Sequence, residues 1–374
     1  MNIFNDKVQY SFYFAALLIG CSVTTSNALP TGSLPVDRLI SENKKMPIDE
    51  TLKEQLKEHI TVLSKIGPRN IENPFYYQRL CQTAQYIINA LKESGLQPNT
   101  TTYSATYKDQ QFDVQNIEVV IPCNESISND MEAKNNRALE YIVIGAHYDT
   151  VRSSPGADDN GSGIAVLLEI ARHLHNLDQN KIKRTIKLVA FPNEECPYSV
   201  DPKTKKFFGS NMGSVQYAKQ AKERGEKITG MISLESISYF SNEPNSQIYP
   251  WYLKWLKYFY GNRGNFLMIL GDLKSKPFQK KWMSCYKKIG PKSTTIHAIA
   301  LPGWLPNVYR SDHGSFSLEG FPAFMITDTA NFRNPHYHQT TDTVDTIDFS
   351  HFTKATKSLI ATIERLALDD PLQP

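Results

Sequence analysis

No Cys-x-x-Cys pair occurs among the five cysteines of this 374-residue sequence, which excludes a thiolate zinc knuckle. No stretch beyond residue 28 is long and apolar enough for a membrane span. Positive charge is not gathered into a stripe: 41 Lys and Arg stand against 38 Asp and Glu, a net +3. So small a balance gives no electrostatic footprint for nucleic acid. Internal repeats and low-complexity segments are also missing, so repeat and fibrous architectures fall away. What remains is an ordinary globular composition, 40% hydrophobic and 21% charged. The length suits one large α/β domain as well as two small ones.

The N-terminus has the layout of an export signal. Lys7 precedes a short apolar run from Phe12 to Val23, and small polar residues follow it. Two processing routes stay open. Ser26-Asn27-Ala28 forms a small-x-small cleavage site, whereas Leu18-Ile19-Gly20-Cys21 resembles a lipobox in which Cys21 takes a lipid. Residues 1–28 are therefore expected to be a signal, 29–45 (with Pro30, Gly32 and Pro35) a linker, and 46–374 the folded domain. The protein is expected outside the cytoplasm: secreted, periplasmic or an outer-envelope lipoprotein touching membrane only through Cys21. Cys81, Cys123, Cys196 and Cys285 permit disulfides without requiring them. Cys196 follows two glutamates, which raise a thiol pKa and make it a poor nucleophile.

Apolar spacing predicts helices over 49–66, 74–94, 163–177, 214–223, 277–289 and 349–368. Strands are predicted over 101–107, 115–121, 141–146, 185–191, 230–234, 266–270, 294–300 and 323–327, with a polar loop at 124–136. Helices alternating with short β-branched runs predict a three-layer α/β sandwich: a mostly parallel, mixed central sheet with helices on both faces.

In such sheets ligands bind beyond the carboxyl ends of the strands, and the acidic and histidine clusters fall there. His147-Tyr-Asp149 follows one strand, Glu194-Glu195 a second and Glu235 a third. His336-Tyr-His338 lies a loop beyond a fourth. Buried carboxylates without a cation resist ionisation, so this convergence points to metal. Residues two apart on extended chain project to one side. His147 can then ligate while Asp149 stands behind it and accepts the proton of its other ring nitrogen. One member of the Glu194-Glu195 pair can ligate while the other serves as base toward a metal-activated water. Asp158-Asp159-Asn-Gly-Ser-Gly163 is a tight turn into a helix; either aspartate can reach the site, or merely cap the helix.

Together these stretches resemble a known family. Gly145-Ala-His147-Tyr-Asp149, Pro155-Gly-Ala-Asp-Asp159-Asn-Gly-Ser-Gly163, Glu194-Glu195, Ser311-Asp-His313 and Pro335-His-Tyr-His338-Gln-Thr-Thr-Asp342-Thr343 occur in the order found in the co-catalytic zinc exopeptidases. That family includes bacterial leucyl aminopeptidase, aminopeptidase Y, glutamate carboxypeptidase II and, distantly, glutaminyl cyclase. The resemblance covers roughly residues 75 to 368. It implies two zinc ions, with His147 and Glu235 on one, Glu195 and His338 on the other, and Asp159 bridging. It implies Glu194 as general base and acid, Asp149 as the group orienting His147, and Asp312 with His313 in the pocket wall. The implied reaction is hydrolysis of the first bond of peptides with a free N-terminus, by a metal-bound hydroxide. Choosing Asp159 over Asp158 and His338 over His336 rests on this register. Glu235 departs from the family's usual Asp, and the segment after Glu195 is longer than usual. Glutaminyl cyclase and carboxypeptidase or dipeptidase chemistry remain the alternatives, beside a binding module that keeps the fold without metals. Tyr309 is a candidate to meet the substrate's ammonium.

Overall fold

The computed structural model describes residues 48–124, 140–200, 207–289 and 294–369. The export segment, Cys21, the linker and most of the 124–136 loop lie outside the described residues.

Eight strands make one sheet: β1 Asn99–Tyr107, β2 Gln110–Ile121, β3 Glu140–His147, β4 Thr185–Phe191, β5 Lys227–Glu235, β6 Phe266–Asp272, β7 Thr295–Leu301 and β8 Ala323–Thr327. Their order is β1-β2-β4-β3-β5-β8-β6-β7. The centre is parallel (β4/β3, β3/β5 and β5/β8), as is the β6/β7 edge, while β1/β2, β2/β4 and β8/β6 are antiparallel. β1 and β2 join through Lys108 and Asp109 with φ of 46° and 62°. That two-residue turn has both angles positive, the hand that matches strand twist.

Period-2 alternation sends successive side chains of one strand to opposite layers. In β3, Ile142, Ile144 and Ala146 join one core with helices α1 (Ile48–Ile66), α2 (Pro74–Glu93) and α3 (Gly161–His175). Their neighbours Tyr141 and Val143 join a second core with Tyr217 and Ala218 of α4 (Gly213–Glu223). The first core also takes α6 (Lys276–Lys288) and α8 (Phe349–Leu368), while Phe316 of the short α7 (His313–Leu318) belongs to the second. α5 is one turn, Lys257–Tyr260. The three layers and the mixed sheet are as the sequence predicts. Both short helices, α5 and α7, are additions, since neither spans enough residues to show helical periodicity.

Parallel strands bring their carboxyl ends to one edge. His147 closes β3, Glu195 lies four residues past β4, and Glu235 closes β5.

Candidate metal centre

Three triplets converge at that edge: His147 with Asp159 and Glu235, Asp159 with Glu195 and His338, and His147 with Glu194 and Glu195. His147 Nε2 lies 3.4 Å from Asp159 Oδ1 and 3.3 Å from Glu235 Oε2. His338 Nε2 lies 3.1 Å from both Asp159 Oδ2 and Glu195 Oε2. The two oxygens of Asp159 thus face different histidines.

Several of the ligand candidates are held from behind. The Nδ1 edge of His147 faces Asp149, at 3.4 Å from Oδ1 and 3.3 Å from its carbonyl oxygen. That leaves Nε2 turned to the cluster. Asp149 does more than the sequence suggests: its two oxygens accept the backbone N–H groups of Glu194 and Glu195, each at 3.0 Å. One buried carboxylate therefore fixes both the first histidine and the glutamate pair. Glu235 Oε2 accepts from Ser311 Oγ at 2.8 Å, which aims the longer glutamate arm at His147.

The choices left open by sequence separate by contact. Asp158 is spent on structure: its oxygens accept from the Ser238 amide and hydroxyl and from Asn334 Nδ2. Neither aspartate caps α3. Asn160 does, accepting from Gly163 N at 3.1 Å while donating to the Leu234 carbonyl at 2.8 Å. The approach is too close for a side chain at Gly163, where a Cβ would meet Asn160 Oδ1 at 2.3 Å. His336 Nδ1 pairs with Thr341 Oγ1 at 2.9 Å, away from the cluster that His338 enters.

Asp312 and His313 open α7, fully buried. His313 donates through Nε2 to the Val308 carbonyl at 2.7 Å, and burial lowers its pKa to about 4. It braces the loop before α7 in neutral form. Tyr309, the candidate for the substrate's ammonium, is engaged elsewhere: its hydroxyl donates to Asp272 at 2.9 Å. The tyrosine beside the cluster is Tyr337, whose ring stacks on His338 at 3.9 Å and whose hydroxyl accepts from Arg310 at 2.8 Å.

Two buried residues that support the site were given no role in the sequence reading. Asp342 accepts the amides of Asp158 and Asp159 at 2.9 and 3.1 Å. Arg69, fully buried, donates to the carbonyls of Tyr148, Leu63, Gly67, Pro155 and Gly156. It bonds only neutral acceptors, so its charge acts across the site on Asp149, Asp342, Asp159 and Glu195. A lone Arg before Asn70 carries no sequence signal of this, although the Asp342 position was visible in the final motif.

The donor set fits a metal. His147 Nε2, both oxygens of Asp159, Glu195 Oε1 and His338 Nε2 are buried without a hydrogen-bond partner, a state that buried polar groups ordinarily avoid. Burial pushes Glu195 up to about 8 and Glu194 well above the carboxylate range. A cation bound at the cluster would oppose both shifts.

An apolar pocket opens beside Glu235, walled by Leu253, Leu256, Met268, Leu270, Met325 and Phe332.

Comparison with known proteins agrees with this geometry. "Uncharacterized protein YfbL" of Escherichia coli is 31% identical over 300 residues, covering 78% of this chain and 81% of that protein. "Leucine aminopeptidase 1" of Arthroderma otae is 24% identical over 359 residues, covering 92% and 82%. A glutaminyl cyclase structure from Bacteroides thetaiotaomicron superposes with a TM-score of 0.58 at 16% identity, over 85% of this chain and 98% of that one, which shows a shared fold. The model of peptidase family M28 matches residues 127–363, taking in every residue of these triplets, and the chain belongs to that family.

Proposed function

We propose that this protein is a zinc aminopeptidase that holds two metal ions and removes the N-terminal residue from peptides with a free α-amine. The observation that carries this is Asp159, one carboxylate shared between two His-carboxylate triplets. His147, Asp159 and Glu235 would hold one ion; Glu195, His338 and Asp159 the other. Imidazole with carboxylate suits zinc. The chemistry such a pair supplies when bound is Lewis acidity toward a carbonyl and toward water.

The chain's own groups supply the remainder. Glu194 accepts the proton of the attacking water on its carboxylate and returns it to the departing amine nitrogen. Its backbone N–H on Asp149 keeps it facing the site. Asp149 holds the Nδ1 side of His147, so the ring presents Nε2. The substrate's ammonium rests against Glu194, and its first side chain enters the apolar pocket beside Glu235. Large apolar N-terminal residues are preferred for that reason.

One peptide in free and acetylated forms, with an N-terminal glutaminyl peptide alongside, tests the activity. Cleavage of the free form alone is expected. Equal cleavage of both ends the aminopeptidase reading, and ammonia release from the third without hydrolysis makes this a cyclase. Elemental analysis should find about two zinc ions per chain and about one in His147→Ala. The same proposal places the enzyme outside the cytoplasm, on the strength of residues 1–28. Fatty-acid label that is lost on Cys21→Ser would identify a lipoprotein, whereas a full-length cytoplasmic protein would exclude export.

A further inference from the structure

The 3-10 helix Trp251–Leu256 runs directly into α5. Tyr252, Leu253 and Leu256 on its inner side line the apolar pocket. A helix with one side on the core ordinarily turns polar groups outward. Here the outward residues are Trp251, Tyr258 and Phe259, exposed by 81%, 78% and 74%, with Trp255 half exposed and packed edge-on against Phe259. Trp304, 82% exposed, stands on the loop that Tyr252 ties down through the Pro306 carbonyl. Single exposed rings need no explanation, but several large ones on two successive turns form a contiguous unpartnered patch.

The charges carried by this stretch of chain have one sign. Lys254, Lys257 and Arg263 are exposed, and no Asp or Glu occurs between Glu243 and Asp272. This combination discriminates between partners. Protein interfaces favour aromatic rings but are depleted in lysine. A bilayer surface takes Trp, Tyr and Phe at headgroup depth, with lysine stems along the apolar side and ammonium groups toward phosphate.

We propose that the face bearing Trp251, Trp255, Tyr258 and Phe259, with Lys254 and Lys257, docks on an anionic lipid bilayer. The proposal stands independently of the peptidase chemistry, because lipid binding is read without turnover.

The test is sedimentation of the full chain with phosphatidylcholine vesicles, with and without phosphatidylglycerol. Wild type is expected on the anionic vesicles. W251S/W255S/F259S should bind at least about tenfold more weakly, since affinity scales with the apolar area inserted. K254Q/K257Q should lose about fivefold per cation on anionic vesicles only, and added salt should act likewise. Phe75→Ser, an exposed ring on α2, should bind like wild type. Both multiple variants should retain a native circular dichroism spectrum and cleavage of a short soluble peptide. Unchanged vesicle binding in both would overturn the proposal, leaving the Phe12–Val23 run as the membrane contact. So would a concentration-dependent dimer that only the triple variant abolishes, or a raised KM for long peptides without any vesicle binding.

Discussion

Asp342 holds Asp159 by the backbone: its Oδ2 accepts the Asp159 amide at 3.1 Å, while the Asp159 side chain points the other way, toward the two histidines. Asp149 treats Glu194 and Glu195 in the same manner. In both places a buried carboxylate bonds two successive amides and so fixes the direction of the ligand beyond. Removing such an outer contact typically lowers metal affinity about 10–100-fold. Asp342→Asn, which keeps shape but makes one oxygen an amide donor facing an N–H, should lose metal to a competing chelator by that factor. Affinity equal to wild type would deny Asp342 any role in positioning Asp159.

The neighbouring glutamates should part company on substitution. Glu194→Gln is expected to cut kcat by about 10²–10⁴-fold, the usual share of general acid–base catalysis, with zinc content near wild type. Glu195→Gln should release metal, because its Oε2 stands 3.1 Å from His338 Nε2 within the second triplet. Metal loss in the first variant and retention in the second would exchange the two roles.

Selectivity should yield to changes in the pocket wall. Leu270→Trp narrows the pocket between β6 and the Trp251–Leu256 turn at a position that is not itself a ligand candidate. The ratio of kcat/KM for leucyl over alanyl peptides should fall by at least about tenfold, since a methylene or two in an apolar pocket decides that much. An unchanged ratio would place the first side chain of the substrate elsewhere.

His313 gives a pH signature. Its folded pKa is lowered to about 4, chiefly by burial, from about 6.5 in the unfolded chain. A depressed pKa contributes stability that is complete above the unfolded value and is lost as pH falls through the folded one. Wild type should therefore lose about 3 kcal/mol between pH 6.5 and pH 4 from this group alone. His313→Gln, which retains a donor for the Val308 carbonyl, should lack that component. Urea unfolding of both proteins at several pH values, with metal removed, measures it; parallel curves would show that His313 is not held neutral.

The sheet, its layers and the clusters at the strand ends were legible in the sequence because each depends on local pattern, whereas choosing Asp159 over Asp158 and His338 over His336 rested on the family resemblance. β3 and β4 are short apolar runs, and His147 and Glu235 are the polar residues that end them. Contacts between distant segments were not. Nothing near Arg69 foretells that it meets the carbonyls of Tyr148 and Pro155 some eighty residues on. Asp158 and Asp159 are chemically alike, and only Ser238 and Asn334, brought in by β5 and the loop after β8, commit the first to structure. Tyr309 shows the converse. A tyrosine near the Ser311-Asp-His313 motif suggests a substrate contact, and Asp272 at the end of β6 takes it instead.

The pocket wall and the ligand candidates come from different stretches of chain. The wall is drawn from Tyr252, Leu253 and Leu256, from β6, β7 and β8, and from the segments 247–250, 306–310 and 329–332, whereas four of the five ligand candidates come from β3, the turn after it, the loop beyond β4 and His338. Glu235 alone belongs to both. On the proposed function, the wall can therefore be altered residue by residue with little change to the ligand cluster, so appetite and chemistry are separable in this frame.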